Sequence, residues 1–231
     1  MTLQQIRERL QTLAEPRLQA FSASLLPGVS NILGVRLPKL RQLAREIARS
    51  DARERVLNSP EPPHSMEEHM LRGMLTGYAP ERIGFAMRAE ELKRFIPSIN
   101  NWSVCDSCCA TYKFVRAERE KTWKLLQEPL HSGKEFEVRF GVVMLLNHFL
   151  QTKEWAERVA DELSTVKAEG YYAEMAIAWC MCELYLQHPF LSLRTPAPHT
   201  RQSPRVQQLT IRKLKESRRK GAVDIIHNLH P

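Results

Sequence analysis

The sequence is short of several features that define whole classes of protein. Its 231 residues include only nine glycines and fourteen prolines, which excludes collagen-like and low-complexity chains. No apolar run approaches the roughly 20 residues that a membrane-spanning helix needs. Because 43% of the residues are hydrophobic, the chain has enough apolar side chains for a core. We therefore expect a folded protein without a membrane partner.

Catalytic and metal-binding signatures are also scarce. The five cysteines are odd in number and clustered, which argues against a disulfide framework and for a reducing compartment. Cys105 and Cys108 form a C-x-x-C, but no further ligands follow at zinc-site spacing. We interpret them as small buried hydrophobes. Without a secretory h-region or a Gly-rich phosphate loop, the sequence predicts a cytoplasmic protein with no cofactor and no metal.

Positive charge is concentrated near one end of the chain. The formal net charge is +8, and residues 201–220 contain eight basic residues and one acidic residue. The remaining body is close to neutral, so a polyanionic partner would meet a basic end rather than a basic protein. The residues that we predict to contact phosphate, weakly, are Arg212, Lys213, Lys215, Arg218 and Arg219.

Helical periodicity dominates the sequence, and strand alternation is almost absent. Leu40, Leu43, Ala44 and Ile47 form an i, i+3, i+4, i+7 stripe, which is typical of an amphipathic helix. Ser65-Met66-Glu67-Glu68 reads as a capping box at the start of another helix.

The predicted helices also recur with a period. The first helices of successive pairs begin near residues 66, 100, 134, 170 and 205. A spacing of about 34 to 36 residues without strands is typical of an α-solenoid. We predict an all-α superhelix of HEAT-like helical repeats that forms one domain over residues 1–231. It would contain an extended Pro-rich connector at about 189–204 and a basic terminal repeat at about 205–231. The alternative is an irregular helical bundle.

Four side chains stand out within these repeats. Trp102 and Asp106 are four residues apart, so they share one face of a helix. Arg139 lies in an otherwise apolar helix, where an unpaired buried charge would be costly, and we expect it to have a partner or an exposed groove. Trp179 occupies a similar position in the next repeat. Stacking of equivalent helices would bring the four onto one surface.

These segments resemble the AlkD-like DNA alkylation repair family. The similarity is carried by Asn-Asn-Trp-x-Val-Cys-Asp, Phe-Glu-Val-Arg-Phe, Ala-Ile-Ala-Trp, Leu-Gly-Val-Arg-Leu-Pro-Lys-Leu-Arg and Ile-Arg-Lys-Leu-Lys-Glu-Ser, in the family's order, over roughly residues 20–188 and 205–219. The resemblance implies a solenoid curved around duplex DNA. It also implies a glycosylase that releases cationic N3- or N7-alkylated purines, without a deep base-flipping pocket.

The same resemblance assigns roles to individual residues. Asp106 matches the catalytic carboxylate, Trp102 and Trp179 match the aromatic residues that cradle the lesion, and Arg139 matches the basic residue that contacts DNA beside it. The implied partner is double-stranded DNA with alkylated purines, bound by a monomer that is nucleoid-associated when on DNA. Asn101 and Ser103 replace a Trp and an Asp that are common in active members. A second reading is therefore an inactive or weakly DNA-binding paralog that acts as a binding module.

Overall fold

The computed structural model describes residues 1–229, and within them the chain forms helices and no named β-strand. The α-helices are α1 (Leu3–Thr12), α2 (Pro16–Leu25), α3 (Leu37–Ala48), α4 (Ala52–Leu57), α5 (Met66–Gly77), α6 (Phe85–Phe95), α7 (Trp102–Cys109), α8 (Arg119–Leu130), α9 (Glu135–His148), α10 (Lys153–Leu163), α11 (Tyr171–Gln187), α12 (Pro204–Glu216) and α13 (Ala222–Leu229). The predicted all-α fold of repeated helices is confirmed. The last two residues of the predicted terminal repeat lie outside the described residues.

The spacing of the helices matches the period seen in the sequence. Helices α5, α7, α9, α11 and α12 begin 33 to 36 residues apart. Within each interval, a second helix or helical turn follows the first before the next repeat unit begins. The candidate site residues at positions 102, 106, 139 and 179 thus lie on three consecutive first helices, as predicted.

Local sequence explains where the central helices of the first half begin. Pro38 stands in the first turn of α3, and the stripe that begins at Leu40 is buried, as its periodicity predicts. The hydroxyl of Ser65 accepts from the backbone N–H of Glu68, 3.1 Å away, and so caps α5. The predicted capping box is only half right. In a full capping box the Glu68 carboxylate would also accept from the backbone N–H of Ser65. Instead it accepts from the N–H of His64 at 3.0 Å and from the side chain of Arg72 at 2.7 Å.

The chain divides into two compact units, residues 1–114 and residues 115 onward. In the first unit, α3 packs against α5 and α5 packs against α7. In the second, α8 packs against α9, α9 against α11, and α11 against α12. Each unit contains its own fully buried apolar side chains.

The Pro-rich connector differs from the prediction. It is not extended, because it folds into two short 3₁₀ helices, Pro189–Leu193 and Pro198–Arg201. Leu191 and His199 are buried, and Tyr185 Oη lies 3.0 Å from His199 Nδ1. Apolar burial and this hydrogen bond hold the segment against α11, which its proline content alone does not reveal.

Candidate functional site

Helix α7 presents Trp102 and Asp106 on one face. The Asn101 side chain accepts from the N–H of Val104 at 3.0 Å, which caps the helix, so that Trp102 is its first residue. Trp102 and Asp106 are both half-buried, whereas Val104 is fully buried. Trp102 and Asp106 therefore lie one turn apart on the same side of α7, as their spacing predicts.

The opposite face of α7 is apolar and packs against α5. Val104 and Cys108 are buried there, whereas Cys105 and Cys109, three and seven residues after Trp102, are buried on the same side as Trp102. Gly73 of α5 permits the close approach, because a Cβ at that position would lie 2.6 Å from the sulfur of Cys108. Burial raises the pKa of the Cys108 and Cys109 thiols well above the usual range. All five cysteines are buried, and none of them forms a disulfide, in keeping with their interpretation as small hydrophobes.

Helix α2 lies beside Trp102 and was not identified from the sequence. The indole Nε1 of Trp102 donates a long hydrogen bond of 3.4 Å to the carbonyl of Leu25, at the end of α2. No residue of α2 is buried, and Phe21 and Leu25 are 61% and 47% exposed. Pro16 followed by apolar residues at 18, 21 and 25 is the helical signal that could have revealed this element.

The loop after α2 is fixed to the first unit by a buried carboxylate. Glu67 of α5 accepts from the backbone N–H groups of Leu33, Gly34 and Val35 at 2.8 to 3.3 Å. The side chain of Gln19 in α2 donates to the carbonyl of Ile32 at 2.8 Å. These bonds tie α2 to α5, and hence set the position of the exposed apolar side chains near Trp102.

In the second unit, Arg139 and Trp179 lie on the packed helices α9 and α11. Arg139 is buried, with 5% of its surface exposed. Its guanidinium donates to the carbonyl of Tyr172 at 2.8 Å, and the carboxylate of Glu135 accepts from the N–H of Tyr172 at 2.7 Å. The expectation that Arg139 has a partner is confirmed. Trp179 is half-buried.

The five basic residues predicted to contact phosphate fall into two groups. The paired basic group is Arg212, which contacts Glu216 at 2.9 Å, and Arg219, which contacts Glu183 at 2.9 Å. The unpaired basic group is Lys213, Lys215 and Arg218, which make no ion pair within the described residues. Exposed ion pairs are weak, so both groups can contribute to a positive potential. The unpaired group has no competing carboxylate.

Neither a metal centre nor a membrane-spanning helix is found in the described part of the chain. Among residues 1–229, no three His, Cys, Asp or Glu side chains are grouped as metal ligands would be. None of the helices in this range combines the length and the apolar character needed to cross a bilayer.

Comparison with known proteins identifies the family. A sequence model described as DNA alkylation repair enzyme matches residues 6–192. The chain belongs to this family. No curated protein and no solved structure matches the chain. The match spans both units and includes α2, the face of α7 with Trp102 and Asp106, and the α9–α11 pair. Membership in the DNA alkylation repair family indicates DNA as the partner.

Proposed function

We propose that this protein is a DNA glycosylase that hydrolyses the N-glycosidic bond of cationic N3- or N7-alkylated purines in duplex DNA. One observation carries the proposal most directly. A carboxylate and an indole, Asp106 and Trp102, lie one turn apart on α7 and are both half-buried, while Val104 and Cys108 on the opposite side of the same helix are fully buried. In a member of the DNA alkylation repair family, such a face fits a cationic lesion and a developing positive charge on its sugar.

The chemistry needs few groups. An N3- or N7-alkylated purine already carries a positive charge, so it leaves with the electron pair of the C1′–N bond as a neutral base and needs no general acid. The sugar becomes an oxocarbenium-like cation, which the Asp106 carboxylate stabilises. A water molecule adds to C1′ and releases a proton to the carboxylate or to solvent. The products are an abasic site and the free base.

The remaining residues act in recognition. We assign Trp102 and Trp179 to the aromatic faces that attract the cationic base, at about 0.5–2 kcal/mol for each cation–π contact. We assign Arg139 to the basic residue that contacts DNA beside the lesion. The resemblance to AlkD-like proteins implies that the lesion stays within the duplex, so that no deep base pocket is needed.

Excision from an oligonucleotide duplex with a single N7-methylguanine tests the proposal. We expect Asp106→Asn to lower release at least about 100-fold and Trp102→Ala to lower it roughly 3- to 30-fold. Asp51→Asn is the matched control, since Asp51 is an exposed carboxylate without a capping hydrogen bond, and should release base at the wild-type rate.

Two outcomes would contradict the assignment. Equal release from the wild type, Asp106→Asn and Trp102→Ala would end the active-site assignment. A wild type that binds duplex DNA in a salt-dependent manner but releases no base would identify the chain as a binding module.

A further inference from the structure

Helix α11 has one accessible strip, and Trp179 lies on it. The residues of this strip are Tyr171, Tyr172, Met175, Trp179, Glu183 and Leu186, whereas the other residues from 173 to 185 are buried. Tyr171 begins the strip, eight residues before Trp179, which is about 12 Å along the helix axis. Among the aromatic residues of the described chain only Phe21 and Tyr171 are exposed, and the ring of Tyr171 is 48% exposed. The second unit therefore presents an aromatic ring to solvent on the same side of α11 as Trp179.

A chain of direct contacts joins Tyr171 to Arg139. The guanidinium of Arg139 donates to the carbonyl of Tyr172 at 2.8 Å. Phe136 of α9 stacks on the ring of Tyr172, with the two ring centroids 5.4 Å apart, and the ring of Tyr171 meets that of Tyr172 edge-on, also at 5.4 Å. The first turn of α11 is thus fixed against α9, and Tyr171 is the neighbour of the residue that holds Arg139 in place.

Arg205 of α12 is held beside Tyr171 by two contacts with α11. Its Nε lies 3.0 Å from the carboxylate of the buried Glu174, and its guanidinium lies over the Tyr171 ring, 5.8 Å from the ring centroid. Because an unpaired buried carboxylate is costly, Glu174 keeps the cation in this position. The Arg205 side chain is 58% exposed, and within residues 1–229 it makes no other hydrogen bond or ion pair. Its terminal N–H groups are therefore open to an anion from solution, beside the exposed ring of Tyr171.

We propose that Arg205 and Tyr171 together bind a backbone phosphate of the duplex, beside the part of the second unit that contacts the lesion. This inference rests on the proposed function and extends it by a contact that touches neither the lesion nor the reacting sugar. A guanidinium and a phenolic hydroxyl both donate to phosphate oxygens, and the fixed cation favours an anion over a base edge. Because one base step rises 3.4 Å along a strand, a contact about 12 Å from Trp179 falls outside the lesion nucleotide. Such a contact sets the register of the duplex without reading its sequence.

Duplex binding as a function of salt tests this pair. We expect Arg205→Gln to weaken binding of an undamaged duplex about 5- to 30-fold and to reduce the slope of log K against log salt by about 0.9, the value of one phosphate contact. Tyr171→Phe keeps the ring and removes only the hydroxyl, so it should weaken binding about 2- to 10-fold and leave the slope unchanged. Arg194→Gln is the matched control, because Arg194 is an exposed arginine of the same unit whose carboxylate partner, Asp161, lies on α10. Its effect on affinity and slope should be smaller than that of Arg205→Gln.

A double variant separates binding from folding. Arg205→Gln leaves the buried Glu174 carboxylate without its cation, which should lower the melting temperature. Arg205→Gln combined with Glu174→Gln removes both charges, so the melting temperature should recover. The salt slope should stay reduced in the double variant, because the phosphate contact is still missing.

Four results would each overturn the inference. They are an equal loss of binding in Arg205→Gln and Arg194→Gln, a wild-type salt slope in the double variant, unchanged binding in Tyr171→Phe, and a wild type that does not bind duplex DNA. Duplex binding that depends on both Arg205 and Tyr171, without base release by the wild type, would retain the inference and refute the glycosylase proposal alone.

Discussion

Gly34 controls where α2 sits, and its replacement by alanine is a sharp test of the first unit. Gly34 has φ of +80°, which non-glycine residues adopt at a cost of roughly 1–2 kcal/mol. A Cβ there would lie 2.6 Å from the carbonyl oxygen of Glu15 and 2.8 Å from Cα of Gln19. Both atoms belong to backbone, so no flexible side chain can move aside.

A second glycine isolates this steric effect. Gly28 has φ of +82°, but nothing lies within 4 Å of a Cβ built there. Gly28→Ala should therefore show only the backbone cost, partly offset by about 0.4–1 kcal/mol from the restricted unfolded chain, for a net loss of about 1 kcal/mol. Gly34→Ala adds overpacking of about 1–3 kcal/mol, which brings the expected loss to about 2–4 kcal/mol.

The same pair predicts a difference in function. The carbonyl of Gly34 accepts from the N–H of Glu15 at 3.0 Å, and its own N–H donates to Glu67 at 2.8 Å, so the clash is relieved most easily by displacing α2. Urea unfolding and duplex binding should both be impaired in Gly34→Ala, with binding intact in Gly28→Ala. Equal unfolding free energies for the two variants would refute the reasoning.

Two further predictions concern pH and salt. Burial lowers the pKa of His69 to about 4 from 6.5, so the unfolded chain binds the extra proton between these values, and stability should fall by about 3 kcal/mol as pH drops from 6.5 to below 4. The free energy of unfolding in urea, plotted against pH, should lack this decrease in His69→Gln. It should keep the decrease in His131→Gln, because His131 is exposed. Identical profiles for the wild type and His69→Gln would contradict the prediction. Replacing the unpaired basic group by Gln should reduce the salt dependence of duplex binding more than replacing the paired basic group, and lesion preference should stay unchanged. An equal effect per residue would show that the carboxylate partners do not matter.

Much of the fold follows from short-range patterns. The stripe that begins at Leu40 and the N-cap at Ser65 are local signals, and both are found in the structure. The prediction of an extended connector after α11 was wrong. Its two 3₁₀ helices depend on the burial of Leu191 and His199, which is a tertiary contact that local sequence does not reveal. Helix α2 was not predicted. None of its residues is buried, so its apolar side chains do not form the core-facing stripe by which the other helices could be recognised.

In the candidate site, too, local features could be predicted from the sequence and tertiary contacts could not. The four-residue separation of Trp102 and Asp106 is a helical property and could be predicted. That Arg139 donates to the Tyr172 carbonyl could be expected only as a need for some partner, because the acceptor lies 33 residues away in sequence.

The burial of all five thiols affects how the protein reacts with alkylating agents. Agents that alkylate DNA also attack thiolates, and the thiolate rather than the thiol is the nucleophile. Burial raises the pKa of Cys108, Cys109 and Cys182, the last to about 11, so these sulfurs stay protonated and shielded. We therefore expect the folded protein to react slowly with the alkylating agents whose damage its family repairs.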